Sequence, residues 1–151
     1  MENNPRPVRH VLGNSCPSCE HKLQFAHPLL AKWFYEVKKE YSGVHVSHTF
    51  RGKDLQNKFF REGKTKLPYP KSKHNRCDTS GKPCSEAIDL FFLETEGIAL
   101  YKDELFEKVW KNAVKHHLHI SDFLKWGGVW KGFRDPCHFE LELPKSGSAL
   151  R

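Results

Sequence analysis

Ala87-Ile88-Asp89-Leu90-Phe91-Phe92-Leu93 is the stretch that decides the fold class. Ile88, Leu90 and Phe92 recur at every second position, the period of a β-strand, and share one face. Asp89 sits among them on the other face. A carboxylate in so apolar a run is costly to bury alone, so Asp89 needs a partner. A second strand is read upstream, where Val44, Val46, His48 and Phe50 alternate with His45, Ser47, Thr49 and Arg51. A third runs from His138 to Leu143, with His138, Glu140 and Glu142 on one face.

Helical spacing separates these strands. Leu29, Leu30, Trp33, Phe34, Val37 and Tyr41 recur at three and four, behind a Pro28 suited to a first helical turn. A short helix is predicted from Lys53 to Glu62, closed by Gly63 as a C-cap. Asp103 to His117 is amphipathic, with Asp103 and Glu104 at its positive end and Lys115, His116 and His117 at its negative end. Trp126-Gly127-Gly128-Val129-Trp130 reads as a turn or short strand. Residues 64–86 hold Pro68, Pro70, Gly81 and Pro83 and read as a long loop, a length uncommon unless functional or disordered. Strands and helices mix without regular alternation, so the class is α+β: a small antiparallel sheet with packed helices.

The chain has 151 residues, the size of one domain. Eleven Phe and four Trp supply a core and exclude a wholly disordered chain. No run approaches the roughly 20 apolar residues that span a bilayer. Met1 to Asn14 lacks the apolar core of a signal peptide, so a soluble protein made in the cytosol, with no stable membrane association, is expected. The net charge of +7 favours polyanionic partners: nucleic acid, anionic lipid or an anionic cell wall. Five cysteines is an odd number for a disulfide framework, so metal binding or free thiols come first.

Three pieces carry chemistry: Ser72-Lys73-His74, Ser85 to Leu90, and Trp126 to Glu140. Two His and one Asp can bind zinc through nitrogen and oxygen, leaving a fourth position open for water. Zinc lowers the pKa of that water to about 7, and a nearby carboxylate can take its proton and pass it to a leaving amine. Spacing alone is a weak argument for this, because ten histidines offer many such triples.

The same segments resemble the zinc peptidases that cleave bacterial peptidoglycan stems. These comprise D-alanyl-D-alanine carboxypeptidases and dipeptidases and the phage L-alanyl-D-glutamate endopeptidases. Ser72-x-His74, Ala87-x-Asp89 and Asp135-x-x-His138-x-Glu140 match the family signature. The Trp-Gly-Gly stretch and an Asp at position 135 resemble the phage endopeptidase branch, and the likeness spans residues 44–143. It implies a Hedgehog/DD-peptidase-like fold with Zn2+ as cofactor. His74, Asp89 and His138 would be its ligands and Asp135 the catalytic base. Arg51 would hold substrate or stabilise the oxyanion. Ser72 and Glu140 would orient ligands. The family usually separates His and Asp by seven residues. Here His74 and Asp89 are fifteen apart, so residues 75–84 should bulge beside the site.

The chain reads as a leader with a CxxC turn (1–22), a zinc peptidase domain (23–144) and a flexible tail (145–151), of which only 44–143 is covered by the resemblance. The resemblance implies a monomeric phage endolysin, held in the host cytosol before release. Its partner would be the peptidoglycan stem peptide rather than nucleic acid, cut at L-alanyl-D-glutamate. A D-Ala-D-Ala carboxypeptidase or dipeptidase of the same fold is the second reading. It needs a cationic clamp for a terminal carboxylate, and nothing beyond Arg51 is an obvious choice. The third is a non-enzymatic, basic, zinc-stabilised binding module.

Cys16-x-x-Cys19 is open to three readings: half of a structural zinc site, a redox pair, or two idle thiols. Cys77 with Cys84, or His21 with His27, could complete the metal site. His45, His48, His116, His117 and His119 have no assigned role. Trp126 and Trp130 suit a substrate cleft or core packing. Cys137 and His138 are adjacent on a strand and point to opposite faces, a poor nucleophile–base pair.

Overall fold

The computed structural model describes residues 16–94 and 97–144. The proposed leader up to residue 15 and the proposed tail lie outside these. The elements are α1 (Pro17–Leu23), α2 (Pro28–Glu40), β1 (Val44–His48), α3 (Lys53–Arg61), β2 (Ala87–Leu93), β3 (Ala99–Leu100), α4 (Asp103–His116), β4 (Leu124–Trp126) and β5 (His138–Leu141). Short 3₁₀ turns cover Lys73–Asn75 and Gly127–Val129. The class is α+β, with a fully antiparallel sheet in the order β1-β2-β5-β4 and β3 paired to β2.

One face of the sheet carries the core. Ile88, Leu90, Phe139, Leu141 and Leu124 meet Leu30, Trp33, Phe34 and Val37 of α2 and Phe106, Val109 and Ala113 of α4, all buried. The aromatic rings run in series, with Trp33 5.1 Å from Phe139, Phe139 6.4 Å from Trp126, and Trp126 6.4 Å from Trp110. The one polar atom of Trp33 is satisfied there. Its indole N–H donates to His117 Nδ1 at 3.0 Å, and His117 Nε2 donates to Glu40 at 2.8 Å. His117, which the sequence explains only as a helix-end cation, therefore ties α2 to the end of α4.

The other face is also covered, which strand alternation does not reveal. Residues 16–22 were expected to belong to a leader with a turn. Instead Pro17–Leu23 is helical with Cys16 as its N-cap, and Cys16, Cys19 and Leu23 are buried. This helix lies against β1. His45, on the side of β1 opposite Val44 and Val46, is consequently fully buried.

Register places the site. Asp89 pairs with His48 of β1 on one side and with His138 of β5 on the other. A bulge between Val46 and His48 shifts the pairing just before this point.

Candidate active site

His74 reaches the sheet from the 3₁₀ turn at Lys73–Asn75. Ser72 caps that turn: its hydroxyl accepts from His74 N at 3.2 Å, while Asn75 Oδ1 accepts from Ser72 N at 3.0 Å. Two N–H donors at the start of the turn are thus satisfied reciprocally. Asn75 Nδ2 also donates to the Arg51 carbonyl at 2.9 Å, and Arg51 N donates to the His74 carbonyl at 2.8 Å. These bonds lock the His74 turn to the chain leaving β1.

The hydrogen bonds of each imidazole fix which nitrogen faces the centre. His74 Nδ1 donates to the Thr49 carbonyl at 2.6 Å, so Nε2 holds the lone pair. His138 Nε2 donates to Glu140 Oε1 at 2.8 Å, so Nδ1 holds the lone pair. These two atoms face each other at 3.3 Å. Asp89 closes the triangle, with Oδ1 2.9 Å from His138 Nδ1 and Oδ2 3.3 Å from His74 Nε2. All three residues are buried.

Two imidazole lone pairs at this separation repel unless a cation lies between them. Two nitrogens about 2.05 Å from one tetrahedral zinc would be about 3.3 Å apart. Without a metal, a proton fills the role. Burial opposes charge on His138, yet its hydrogen bonds to Asp89 and Glu140 push its pKa up to about 9. Burial holds His74 below the ordinary histidine value despite the Asp89 charge. Burial alone would raise Asp89, but the His74 charge and the imidazole hydrogen bonds hold it well below the usual carboxylate range. The donor set therefore fits a divalent metal with nitrogen and oxygen ligands.

Arg51 lies at the same centre. Its Nη2 donates to Asp89 Oδ2 at 2.6 Å, and its guanidinium rests 4.9 Å from the centre of the Phe59 ring. Its buried Nε has no hydrogen-bond partner among the described residues. Gln56, fully buried on α3, accepts from Arg51 Nη1 at 3.4 Å and donates to the Leu67 carbonyl at 2.6 Å. Thr49, Asn75 and Gln56 all support the site, yet none stood out in the sequence. Thr49 acts through its main-chain carbonyl, which no side-chain pattern reports. Ser72-x-His74 followed directly by Asn75 was the one available signal.

Asp135 is held beside the metal-type residues by the Trp-Gly-Gly turn. Asp135 N donates to the Gly127 carbonyl at 2.9 Å, and a Cβ at Gly127 would collide with the Asp135 carbonyl oxygen. A carboxylate oxygen of Asp135 lies within 4.8 Å of one on Asp89 and of Cys137 Sγ. Burial, then the Asp89 charge, raises its pKa above the ordinary aspartate value. Cys137 Sγ donates to Asp135 Oδ1 at 3.3 Å, and burial with both carboxylates pushes its thiol pKa far up. It is a hydrogen-bond donor here, not a nucleophile. Trp126 is core, whereas Trp130 lies at the cleft with its ring 5.0 Å from His138.

The cleft above these residues has a volume of about 400 Å³. Lys64, Lys66, Lys71, Lys73, Arg76 and Lys131 line it along with Arg51, against only Asp135 and Glu140 of opposite sign. Lys73 is committed to Glu140 at 3.4 Å and to the Leu141 carbonyl. The inserted residues 75–84 contribute only Arg76 at the cleft. They fold on themselves instead: Cys84 N donates to the Arg76 carbonyl, and Asp78 Oδ1 accepts from Ser80 N and Lys82 N. Gly81, with φ of 83°, turns the tip. So the extra length is spent in a closed exposed turn, and His74 still meets Asp89.

The expected partners of Cys16 and Cys19 are elsewhere. His27 caps α2 by accepting from Leu29 N, His21 packs on Phe25, and Cys77 is exposed. Among the described residues, the His45 side chain meets both sulfurs.

No protein-family model matches the chain. A solved structure with a similar fold is the L-Ala D-Glu endopeptidase ChiX of Serratia marcescens. The two agree with a TM-score of 0.67 over 92% of this chain and 96% of that one, at 19% sequence identity. At that identity the likeness establishes the fold.

Proposed function

We propose that this chain is a zinc-dependent peptidase of bacterial peptidoglycan, of the phage endolysin kind, that hydrolyses the stem peptide at L-alanyl-D-glutamate. The observation that carries this reading is the convergence of His74 Nε2, His138 Nδ1 and Asp89 in a basic cleft, with Asp135 alongside. The fold shared with an L-Ala D-Glu endopeptidase supports the substrate class.

His74, Asp89 and His138 would hold the metal, which when bound polarises the scissile carbonyl and acidifies a water. Glu140 and the Thr49 carbonyl keep the two imidazoles in the required tautomers. Asp135 takes the proton of the attacking water and returns it to the departing amine, a role favoured by its raised pKa. Arg51 orients Asp89 and keeps a fixed positive charge beside the ligand residues, where it would favour the oxygen that gains charge. The cleft lysines draw in a stem that carries free carboxylates.

Asp135→Asn tests the reading. It keeps the ligand set, so zinc content should stay at the wild-type value while stem-peptide hydrolysis falls by about 10²–10⁴-fold. Undiminished hydrolysis in that variant would remove Asp135 from the mechanism.

A further inference from the structure

The catalytic reading leaves a second cluster unused. Cys16, Cys19 and His45 form a buried group where α1 meets β1, with His45 on the side of the strand opposite Val44 and Val46. His45 Nδ1 lies 3.2 Å from Cys16 Sγ and 3.5 Å from Cys19 Sγ. Each sulfur also accepts a main-chain N–H: Cys19 N donates to Cys16 Sγ at 3.2 Å, and Val46 N donates to Cys19 Sγ at 3.4 Å. Close by, Lys38 Nζ donates to the Ser42 and Val44 carbonyls at 2.7 Å each and lies 3.5 Å from His45 Nε2.

In the reduced protein these N–H contacts would suit thiolates. Neutral sulfur is a weak acceptor, whereas a thiolate gains from N–H donors and from a nearby cation. A nitrogen and a sulfur on one tetrahedral zinc, at about 2.05 and 2.3 Å, would be about 3.6 Å apart. The Cys19 distance matches that edge, and the Cys16 distance is about 0.4 Å short of it. Cys16 and Cys19 stand in a disulfide in the structure. Reduction, two electrons and two protons supplied by a thiol reductant, returns two thiols. Binding a divalent metal then releases their two protons.

We propose that in the reduced protein Cys16, Cys19 and His45 bind a thiophilic divalent ion of the zinc class, at a structural site separate from the catalytic one. The cluster joins α1 to β1. From there Lys22 at the end of α1 accepts Thr49 Oγ1 on its carbonyl at 2.6 Å, and the Thr49 carbonyl holds His74. The ion would thereby brace the strand end that positions the catalytic histidine. This site needs no peptidase activity, and only the second metal equivalent in the test rests on the metal reading of His74, Asp89 and His138.

The test uses the full chain, reduced and handled without oxygen, titrated with Co2+ as the probe. Three proteins are compared: wild type, Cys16→Ser/Cys19→Ser, and His74→Ala. Wild type should bind two equivalents and show the intense near-ultraviolet thiolate-to-cobalt charge-transfer band. His74→Ala should keep that band and lose the other equivalent. Cys16→Ser/Cys19→Ser should lose the band, which also separates this pair from Cys77, Cys84 and Cys137. Should the double variant not fold, as judged by circular dichroism, His45→Gln is used, with at least a tenfold weaker charge-transfer titration expected. A reduced wild type with two reactive thiols at positions 16 and 19 and no charge-transfer band would overturn the proposal. So would a band that persists unchanged in the cysteine or His45 variants.

Discussion

Gly127→Ala is a one-methyl perturbation aimed at Asp135 through the backbone. The added Cβ would lie far inside van der Waals contact with the Asp135 carbonyl oxygen, and 3.2 Å from both the carbonyl carbon and Cβ of Asp135. Backbone atoms cannot rotate aside as a flexible side chain can, so the two segments must part by roughly an ångström. The hydrogen bond from Asp135 N to the Gly127 carbonyl, 2.9 Å, would stretch with them. A misplacement of about 1 Å at a reacting group costs about 10²-fold in rate, or about 2.7 kcal/mol of barrier. Overpacking of this kind destabilises a fold by about 1–3 kcal/mol, so the variant should still fold. Gly52→Ala is the control, because a Cβ there meets nothing within 4 Å although it follows Arg51. The assay is hydrolysis of a purified stem peptide, resolved into kcat and KM, with zinc content and thermal melting measured in parallel. The expected result is a kcat loss near 10²-fold with zinc retained, and a near-normal Gly52→Ala. A folded Gly127→Ala with wild-type kcat would refute the idea that the Trp-Gly-Gly turn sets the position of Asp135.

Two further outcomes are expected. Glu140→Gln weakens the anchor on His138 Nε2 and frees Lys73 from its partner, so zinc affinity measured by chelator competition should fall about 10–100-fold. Lys66→Glu combined with Lys131→Glu reverses charge at the cleft without touching the metal residues. Its effect should be on KM for a carboxylate-bearing stem peptide and should shrink as ionic strength rises, because exposed charges are screened. A kcat effect with unchanged KM would contradict it.

Three strands and the longer helices were legible because their periods are strong: α2, α3 and α4 lie within a residue or two of the expected bounds, whereas β1 ends at His48 short of the expected Arg51, and the two- and three-residue strands β3 and β4 are too short to show a period. His74, Asp89 and His138 were legible by resemblance, and antiparallel register explains why the last two meet. His45 was not, for a physical reason. A period of two assigns one face of β1 to the core through Val44 and Val46 and leaves the other to solvent. The helix that covers that second face begins at Pro17, in a stretch whose composition reads as a leader. Gln56 and Asn75 were missed because buried amides are recruited by tertiary partners, and nothing local marks them. The fifteen-residue gap between His74 and Asp89 was harmless because the turn closes between Arg76 and Cys84 before the chain enters β2.

Mass spectrometry of purified peptidoglycan after incubation with the protein, with and without a zinc chelator, tests the central claim most directly. The account predicts a new fragment with a free D-glutamate amine, absent when zinc is removed. Release of D-alanine alone would move the scissile bond to the stem terminus. Intact peptidoglycan in the presence of the zinc-loaded, folded protein would contradict the peptidase reading.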